Sequence, residues 1–406
     1  MKKDARQRIK QRVTAFILTF LVFAVGLMTV ISALADKGEA EEGASSTEQT
    51  KKTTGNIFED ALFPFDGFIN LYSAFEVFSG AHMFEDAAYG YIIKDKQGKL
   101  HFSMERSYED EYADAVCAFS KFVRARGVPF MYVQAPNKKI RGYTVFPPGA
   151  HNDSNEDADV MLAALNEAGI ETMDLRERLS QSGIPYEQMF YYTDHHWTNK
   201  TAFWAFCELE GEIYARFGID CDPEGYHTDI DNYDITYYEK YFLGSQGRRV
   251  GAYIAGVDDY TFISPKEDMD FEVYDMVRHP DRALFSGGFS HAVKRDAILI
   301  DPDISTNRYG AYFGYDYGLM RIINKEAKND IKLLMVKDSF ALPIAAYLST
   351  CVSELWLLDP RDEGAPDPYD VVQTYDFDAV VMMYNTEAFN EKSFGSLLNH
   401  AGGERP

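Results

Sequence analysis

Short apolar strands alternate with amphipathic helices through most of this 406-residue chain. Residues 108–127 have a helical pattern that ends at Gly127, and the buried-strand pattern of residues 130–134 follows. The alternation returns at residues 331–336 and again at residues 379–384. Such alternation is typical of a parallel sheet with helices packed on its faces. The sequence therefore predicts an α/β fold with a mainly parallel sheet.

One long region departs from this alternation. Residues from about 222 to 305 are rich in Tyr, in Gly and Asp turns, and have no long helical period. We expect a β-rich insertion here, within a catalytic domain that spans residues 57–406.

The N-terminal 35 residues have the pattern of a membrane anchor. Residues 2–12 carry six Lys or Arg and one acid, and residues 13–35 carry no charge. About 20 apolar residues span the ~30 Å hydrocarbon core of a bilayer. Because the basic flank stays in the cytoplasm, we expect a single-pass cell-membrane protein with an extracellular catalytic domain. Ala33-Leu34-Ala35 resembles a signal-peptidase site, so a cleaved leader is the alternative.

Residues 36–56 have the composition of a flexible linker, since they contain almost no large apolar side chain.

The net charge of −24, from 64 acids and 40 bases, argues against nucleic-acid binding, which needs a basic surface. Cys207 and Cys221 are close enough in sequence to pair outside the cell, and free buried thiols are the alternative.

The sequence Asp194-His195-His196-Trp197 carries the strongest chemical signal. In an extended segment, residues two apart project from the same side, which brings Asp194 next to His196. The carboxylate would then orient the imidazole and leave its second nitrogen free to act as a base.

Ser339 is the candidate nucleophile. It follows the predicted strand at residues 331–336, where the chain turns into a helix. Sites in α/β sheets form at the carboxyl ends of the strands, and a helix N-terminus there helps to hold an oxyanion. We expect His196 to accept the proton of Ser339 and Asp194 to stabilise the imidazolium.

Asp194, His195 and His196 are also residue types that bind a divalent metal ion, and the same letters occur in cytoplasmic phosphoesterases. Those enzymes need further Asp-rich motifs, which this sequence lacks. We therefore expect neither a metal nor another cofactor.

The Thr-Asp-His-His-Trp-Thr run, followed by a strand and Asp-Ser-Phe, resembles the DHHW protein family. It is similar to the SGNH-like O-acetyltransferases that modify alginate and other exopolysaccharides, which carry their serine after an Asp-x-His-Trp motif. The resemblance covers most of residues 57–400. It implies an SGNH-hydrolase-like fold and Asp194, His196 and Ser339 as the catalytic triad, with His195 as a spacer.

The resemblance also places further candidates near the site. No Gly-x-Asn block supplies a standard oxyanion hole, so the amide of Ser339, Gly244 and the side chain of Asn385 are the alternatives. Trp197 either stacks on a sugar ring or packs in the core, and Arg361 either binds substrate or pairs with an acid. The substrate-binding or oxyanion candidates are Gly244, Ser245, Asn385, Trp197 and Arg361.

The resemblance implies a membrane-anchored enzyme that transfers acetyl to hydroxyl groups of a cell-surface polysaccharide. A multi-pass membrane O-acyltransferase is the implied partner that supplies acetyl. A carbohydrate acetylesterase with the same triad, or a non-catalytic glycan-binding protein, is the alternative.

Overall fold

An eight-stranded mixed sheet forms the centre of the fold in the computed structural model, which describes residues 80–401. The strands, in chain order, are β1 (Met83–Asp86), β2 (Gly90–Lys94), β3 (Leu100–Phe102), β4 (Phe130–Ala135), β5 (Glu171–Asp174), β6 (Tyr233–Phe242), β7 (Asp258–Pro265), β8 (Phe271–Asp275), β9 (Phe285–Gly287), β10 (Leu319–Asn324), β11 (Lys332–Lys337), β12 (Glu354–Leu358) and β13 (Ala379–Asn385).

Helices cover both faces of this sheet. In chain order they are α1 (Asp110–Arg124), α2 (Ser154–Glu167), α3 (Leu175–Gln181), α4 (Tyr186–Met189), α5 (Asn199–Phe217), α6 (Ser245–Val250), α7 (Ala252–Ala255), α8 (Phe289–Ala292), α9 (Asp296–Leu299), α10 (Ala341–Leu348), α11 (Pro368–Thr374) and α12 (Glu391–Ala401). Short 3₁₀ turns lie at Ile230–Asn232 and Arg308–Ala311.

The strand order of the sheet is β5-β4-β13-β11-β12-β10-β8-β9. The first five of these strands are parallel to one another, while β10, β8 and β9 pair antiparallel at one edge. The expected α/β fold is confirmed, but the sheet is mixed. Within the predicted β-rich region, β8 and β9 extend the central sheet, whereas β6 and β7 form their own ribbon.

Alternation along the central strands explains the two cores. Leu333 and Met335 of β11 point into one apolar cluster, whereas Leu334 and Val336 point into the other. Side chains of a strand alternate between the faces of its sheet, so both faces must be covered. Helices α5 and α10 pack on the first face, and α1, α2, α11 and α12 pack on the second.

A three-stranded antiparallel sheet of β1, β2 and β3 precedes the main sheet and was not predicted from the sequence. Its core packs against α6 and α7 through residues such as Phe84, Ile92 and Ile254. It therefore adds a wall beside the loop that carries the Asp-His-His-Trp sequence.

The four cysteines, Cys117, Cys207, Cys221 and Cys351, are free thiols, so Cys207 and Cys221 are not paired.

The predicted membrane span, the predicted linker and residues 57–79 of the predicted catalytic domain lie outside the described residues. Within residues 80–401, no helix has the length and apolar character needed to cross a membrane.

Candidate active site

The carboxyl ends of the parallel strands meet at one edge of the sheet, and three loops there carry the candidate residues. Strand β11 ends at Lys337, and Ser339 lies in the turn before α10 begins at Ala341. Strand β13 ends at Asn385 beside it, because β11 and β13 are parallel neighbours. This edge is where open α/β sheets form their sites.

The Asp-His-His-Trp loop lies between α4 and α5 and is closed by an antiparallel bridge between Phe190 and Trp197. It is a tight turn rather than the extended segment that the sequence suggested, since Asp194 Oδ1 accepts the backbone amide of His196 at 3.1 Å. Helix α5 starts immediately after it, where the Thr198 side chain caps the amide of Thr201.

The three predicted catalytic residues form one hydrogen-bonded chain. His196 Nδ1 lies 2.6 Å from Asp194 Oδ1, and His196 Nε2 lies 2.7 Å from Ser339 Oγ. Asp194 and His196 are buried, whereas Ser339 is partly exposed. Sequence separation between the histidine and the serine is 143 residues, so only the fold brings them together.

Asp194 is held in its charged form. Burial acts to raise its pKa, but His195, His196 and the backbone amide of Ser245 hold the pKa well below its ordinary value. The Ser245 amide donates to Asp194 Oδ2 at 2.7 Å, so both carboxylate oxygens have donors. A charged, fully hydrogen-bonded carboxylate is what an imidazolium needs as its partner.

Aromatic rings fix the plane of His196. The ring of Tyr309 stacks on it with 3.6 Å between centroids and 10° between planes, and Phe340 lies 5.0 Å away. Tyr309 was not among the residues singled out in the sequence, because nothing near it in the chain carries a motif.

Trp197 packs in the core, the second of the two roles that the sequence left open. Its side chain is 0% exposed. Its Nε1 donates to Tyr309 Oη at 3.0 Å and to the carbonyl of Phe340 at 3.2 Å. The tryptophan therefore ties the histidine loop directly to the turn that holds Ser339.

His195 faces the cleft beside the triad. Its Nδ1 lies 2.8 Å from Ser245 Oγ, and burial, aided by His196, lowers its pKa to about 3. Asp194, His195 and His196 do offer ligand atoms within 4.8 Å of one another. However, both ring nitrogens of His196 already bond to protein groups, so a metal ion here would have to break the triad.

Gly244 and Ser245 support Asp194 rather than face substrate. The amide of Gly244, one of the three oxyanion alternatives, donates to Thr193 Oγ1 at 2.7 Å. A Cβ atom at Gly244 would lie 2.2 Å from Asp194 Cβ, which explains the glycine. Ser245 uses its amide on Asp194 and its hydroxyl on His195.

Asn385 and Arg361 line the same cleft as Ser339. Asn385 Nδ2 donates one hydrogen bond, to the buried Asp338 Oδ2 at 2.7 Å. Arg361 forms two hydrogen bonds with the Asp359 carboxylate, at 2.8 and 2.6 Å. The arginine is thus paired with an acid, the second of the two roles that the sequence left open.

The cleft has a volume of about 610 Å³. One wall comes from the small N-terminal sheet and the other from the end of β13 and the start of α12. Its lining includes Tyr89, Phe102, His195, Ser339, Asn385 and Glu387. Glu387 was missed in the sequence, because only the fold places it beside Ser339.

Comparison with known proteins gives a family match over part of the chain. Residues 100–230 match the family model described as the SGNH hydrolase-like domain of the acetyltransferase AlgX. No curated protein sequence matches the chain.

Solved structures share the fold. Bacillus cereus PatB1 superposes with a TM-score of 0.60 at 21% identity, covering 75% of this chain and 98% of PatB1. The structure of B. cereus PatB1 with a sulfonyl adduct superposes with a TM-score of 0.60 at 20% identity, covering 75% of this chain and 96% of PatB1. A DHHW family protein from Eubacterium siraeum superposes with a TM-score of 0.55 at 17% identity, covering 75% of this chain and 94% of that protein.

These likenesses confirm the resemblance that the sequence predicted. Residues 100–230 are similar to an SGNH hydrolase-like acetyltransferase domain, and the chain shares its fold with a DHHW family protein.

Proposed function

We propose that this protein is a membrane-anchored, extracytoplasmic serine O-acyltransferase that moves acetyl onto hydroxyl groups of a cell-surface polysaccharide. The observation that carries the proposal is the continuous hydrogen-bonded chain from Asp194 through His196 to Ser339, which ends in an open cleft. The anchor and the membrane partner that supplies acetyl are proposed from the sequence pattern and the family resemblance alone.

In the first half-reaction Ser339 Oγ attacks the acetyl carbonyl and its proton passes to His196 Nε2. Asp194 stabilises the imidazolium, and His196 then gives the proton to the leaving group. Acetyl-Ser339 remains. In the second half-reaction a sugar hydroxyl loses its proton to His196 and attacks the acetyl carbon, which releases Ser339.

Two donors suit the negative oxygen of the tetrahedral intermediate. Within residues 80–401 the amide of Ser339 has no hydrogen-bond acceptor. In the same part of the chain, Asn385 Nδ2 has no acceptor other than Asp338 Oδ2, so its second N–H is free, and Asn385 lines the cleft with Ser339. We propose that these two groups form the oxyanion hole, whose single donors are typically worth ~10²–10³-fold in kcat.

An acetylesterase differs only in the second half-reaction, where water replaces the sugar hydroxyl. A non-catalytic glycan-binding protein would not need the buried, charged Asp194 or its hydrogen bonds to His196. The assembled triad therefore favours an enzyme, and the transferase is preferred because of the acetyltransferase domain match.

The test uses the full chain and an activated acetyl ester. We expect wild type to release product and to be inactivated by a sulfonyl fluoride, the kind of probe suggested by the sulfonyl adduct of PatB1. Ser339→Ala should lose both properties, with kcat down by ~10³-fold or more. Ser180→Ala, at an exposed serine outside the cleft, should behave as wild type.

Two results would contradict the proposal. Equal activity in wild type and Ser339→Ala would remove the serine from the mechanism. Loss of activity with a chelator, together with full activity of Ser339→Ala, would favour a metal at Asp194, His195 and His196 instead. Mass analysis of sugars added to the reaction then separates transfer from hydrolysis.

A further inference from the structure

Glu387 is a carboxylate in the active-site cleft that the mechanism above does not use. It lies two residues beyond the end of β13 and lines the cleft together with Ser339. Its own amide donates to Asn385 Oδ1 at 2.6 Å, so its backbone position is fixed by the oxyanion candidate.

The Glu387 carboxylate is held by neutral groups only. Asn137 Nδ2 and Asn152 Nδ2 lie 3.4 and 3.5 Å from its Oε1, which are long hydrogen bonds. Among residues 80–401 it forms no ion pair, and the nearby Arg361 is already paired with Asp359. Burial raises the pKa of Glu387 to about 7, although Asn152 and Lys138 oppose the shift.

A partly buried carboxylate with weak partners is costly to the fold, so it points to a ligand that supplies better donors. Its Oε2 has no hydrogen bond to any residue that the structure describes. Hydroxyl groups are neutral donors that suit such an oxygen.

The opposite wall of the cleft is aromatic. Tyr89 stacks on Phe102 with 3.8 Å between centroids, and Phe102 lies 5.7 Å from His195. An apolar wall facing a few polar acceptors is a common design for a small-molecule site, and it suits the apolar face and the hydroxyl edge of a sugar ring.

We propose that Glu387 binds the acceptor sugar, by accepting a hydrogen bond from a hydroxyl next to the one that is acetylated, and that it selects uncharged sugars over uronates. This inference rests on the proposed function. Above pH 7, where Glu387 is charged, a sugar carboxylate placed at this position would meet a like charge, which is unfavourable in a partly desolvated cleft.

The step is an ordinary acyl transfer. The acceptor oxygen bonds to the acetyl carbon, the ester bond to Ser339 Oγ breaks, and the hydroxyl proton passes through His196 to Ser339 Oγ. Glu387 holds the acceptor and exchanges no proton in this step.

The experiment measures what fraction of the acetyl groups on Ser339 is transferred to the acceptor sugar and what fraction is transferred to water. At pH 8, where Glu387 is charged, the full chain is supplied with an activated acetyl ester and either methyl glucoside or methyl glucuronoside. The amount of acetylated sugar is then divided by the amount of released acetate. Because both products come from the same acetyl-Ser339, a general loss of activity cancels from this ratio.

We expect wild type to acetylate the glucoside in preference to the glucuronoside. Glu387→Gln should lower the ratio for the glucoside about tenfold and abolish the preference between the two sugars. Glu111→Gln, at an exposed glutamate of α1, should keep the ratio and the preference of wild type.

An unaltered ratio and preference in Glu387→Gln would overturn the assignment of Glu387. Release of acetate alone by wild type with either glycoside would also overturn it. In the first case acetylated sugar still forms, which supports the proposed transferase without a role for Glu387. In the second case a trapped acetyl-Ser339 would favour the esterase, and its absence would refute the serine mechanism as well.

Discussion

One carboxylate oxygen of Asp194 holds both the ring and the backbone of His196. Asp194 Oδ1 lies 2.6 Å from His196 Nδ1 and accepts the His196 amide at 3.1 Å. The aspartate thus sets the shape of the loop as well as the orientation of the base.

Asp194→Asn keeps the size of the side chain and removes its charge. The amide cannot stabilise an imidazolium and favours the wrong tautomer of His196, so we expect kcat for an activated ester to fall by ~10³–10⁴-fold. The melting temperature should change much less than kcat. A variant within tenfold of wild type would contradict the role given to Asp194.

Gly244→Ala should damage the site through a steric clash. The new Cβ would meet Asp194 at 2.2 Å and its backbone Cα at 2.6 Å, so the aspartate or the chain must move. We expect loss of at least tenfold in kcat and a lower melting temperature, measured by calorimetry. Gly211→Ala is the matched control, because a Cβ there meets nothing within 4 Å and Ala favours the interior of α5 by ~1 kcal/mol.

Lys138 holds the histidine loop in place through hydrogen bonds to its backbone. Its buried Nζ donates to the carbonyls of Tyr191 and Tyr192 at 3.2 Å each and to Gln246 Oε1 at 2.6 Å. Lys138→Met would leave the Tyr191 carbonyl and Gln246 Oε1 without this donor, at a cost of ~1–3 kcal/mol for each buried group left unpaired. The Tyr192 carbonyl would keep the amide of Leu100, at 2.9 Å. We expect a lower midpoint in urea unfolding and a reduced kcat, while Lys96→Met at an exposed lysine should resemble wild type.

Glu387→Gln should stabilise the fold at alkaline pH. Because burial raises the pKa of Glu387 to about 7, the native state holds a proton that the unfolded state releases at lower pH. The stability of wild type therefore falls as pH rises from the ordinary glutamate range towards 7, and the glutamine avoids this loss.

The measurement for Glu387→Gln is the melting temperature at pH 5 and pH 8. The advantage of the variant over wild type should be larger at pH 8 than at pH 5. A lower melting temperature at both values would mean that the carboxylate stabilises the fold, and it would contradict the pKa shift.

The sequence was sufficient to predict the parts of the fold that depend on local pattern. Buried strands such as residues 332–337 and the capped start of α5 follow from apolar runs and from Thr198. The pairing of His196 with Ser339 was predicted from the chemistry of the residues and the family resemblance, although the histidine loop lies between two helices and not at the end of a strand.

Contacts between distant segments were not predictable from one sequence. The antiparallel edge depends on how β10 pairs with β8 and β12, which no local period encodes. The burial of Trp197 depends on Tyr309 and Phe340, more than 100 residues away, and Glu387 becomes an active-site residue only through the position of β13.

The hydrogen bond from Trp197 to the carbonyl of Phe340 joins the base and the nucleophile through the interior of the protein. The spacing between them is therefore set before any ligand arrives. A site built in this way needs no rearrangement before it reacts, so its rate depends on which molecules reach the cleft. Under the proposed function, its activity would be controlled through the delivery of acetyl and the supply of acceptor chains.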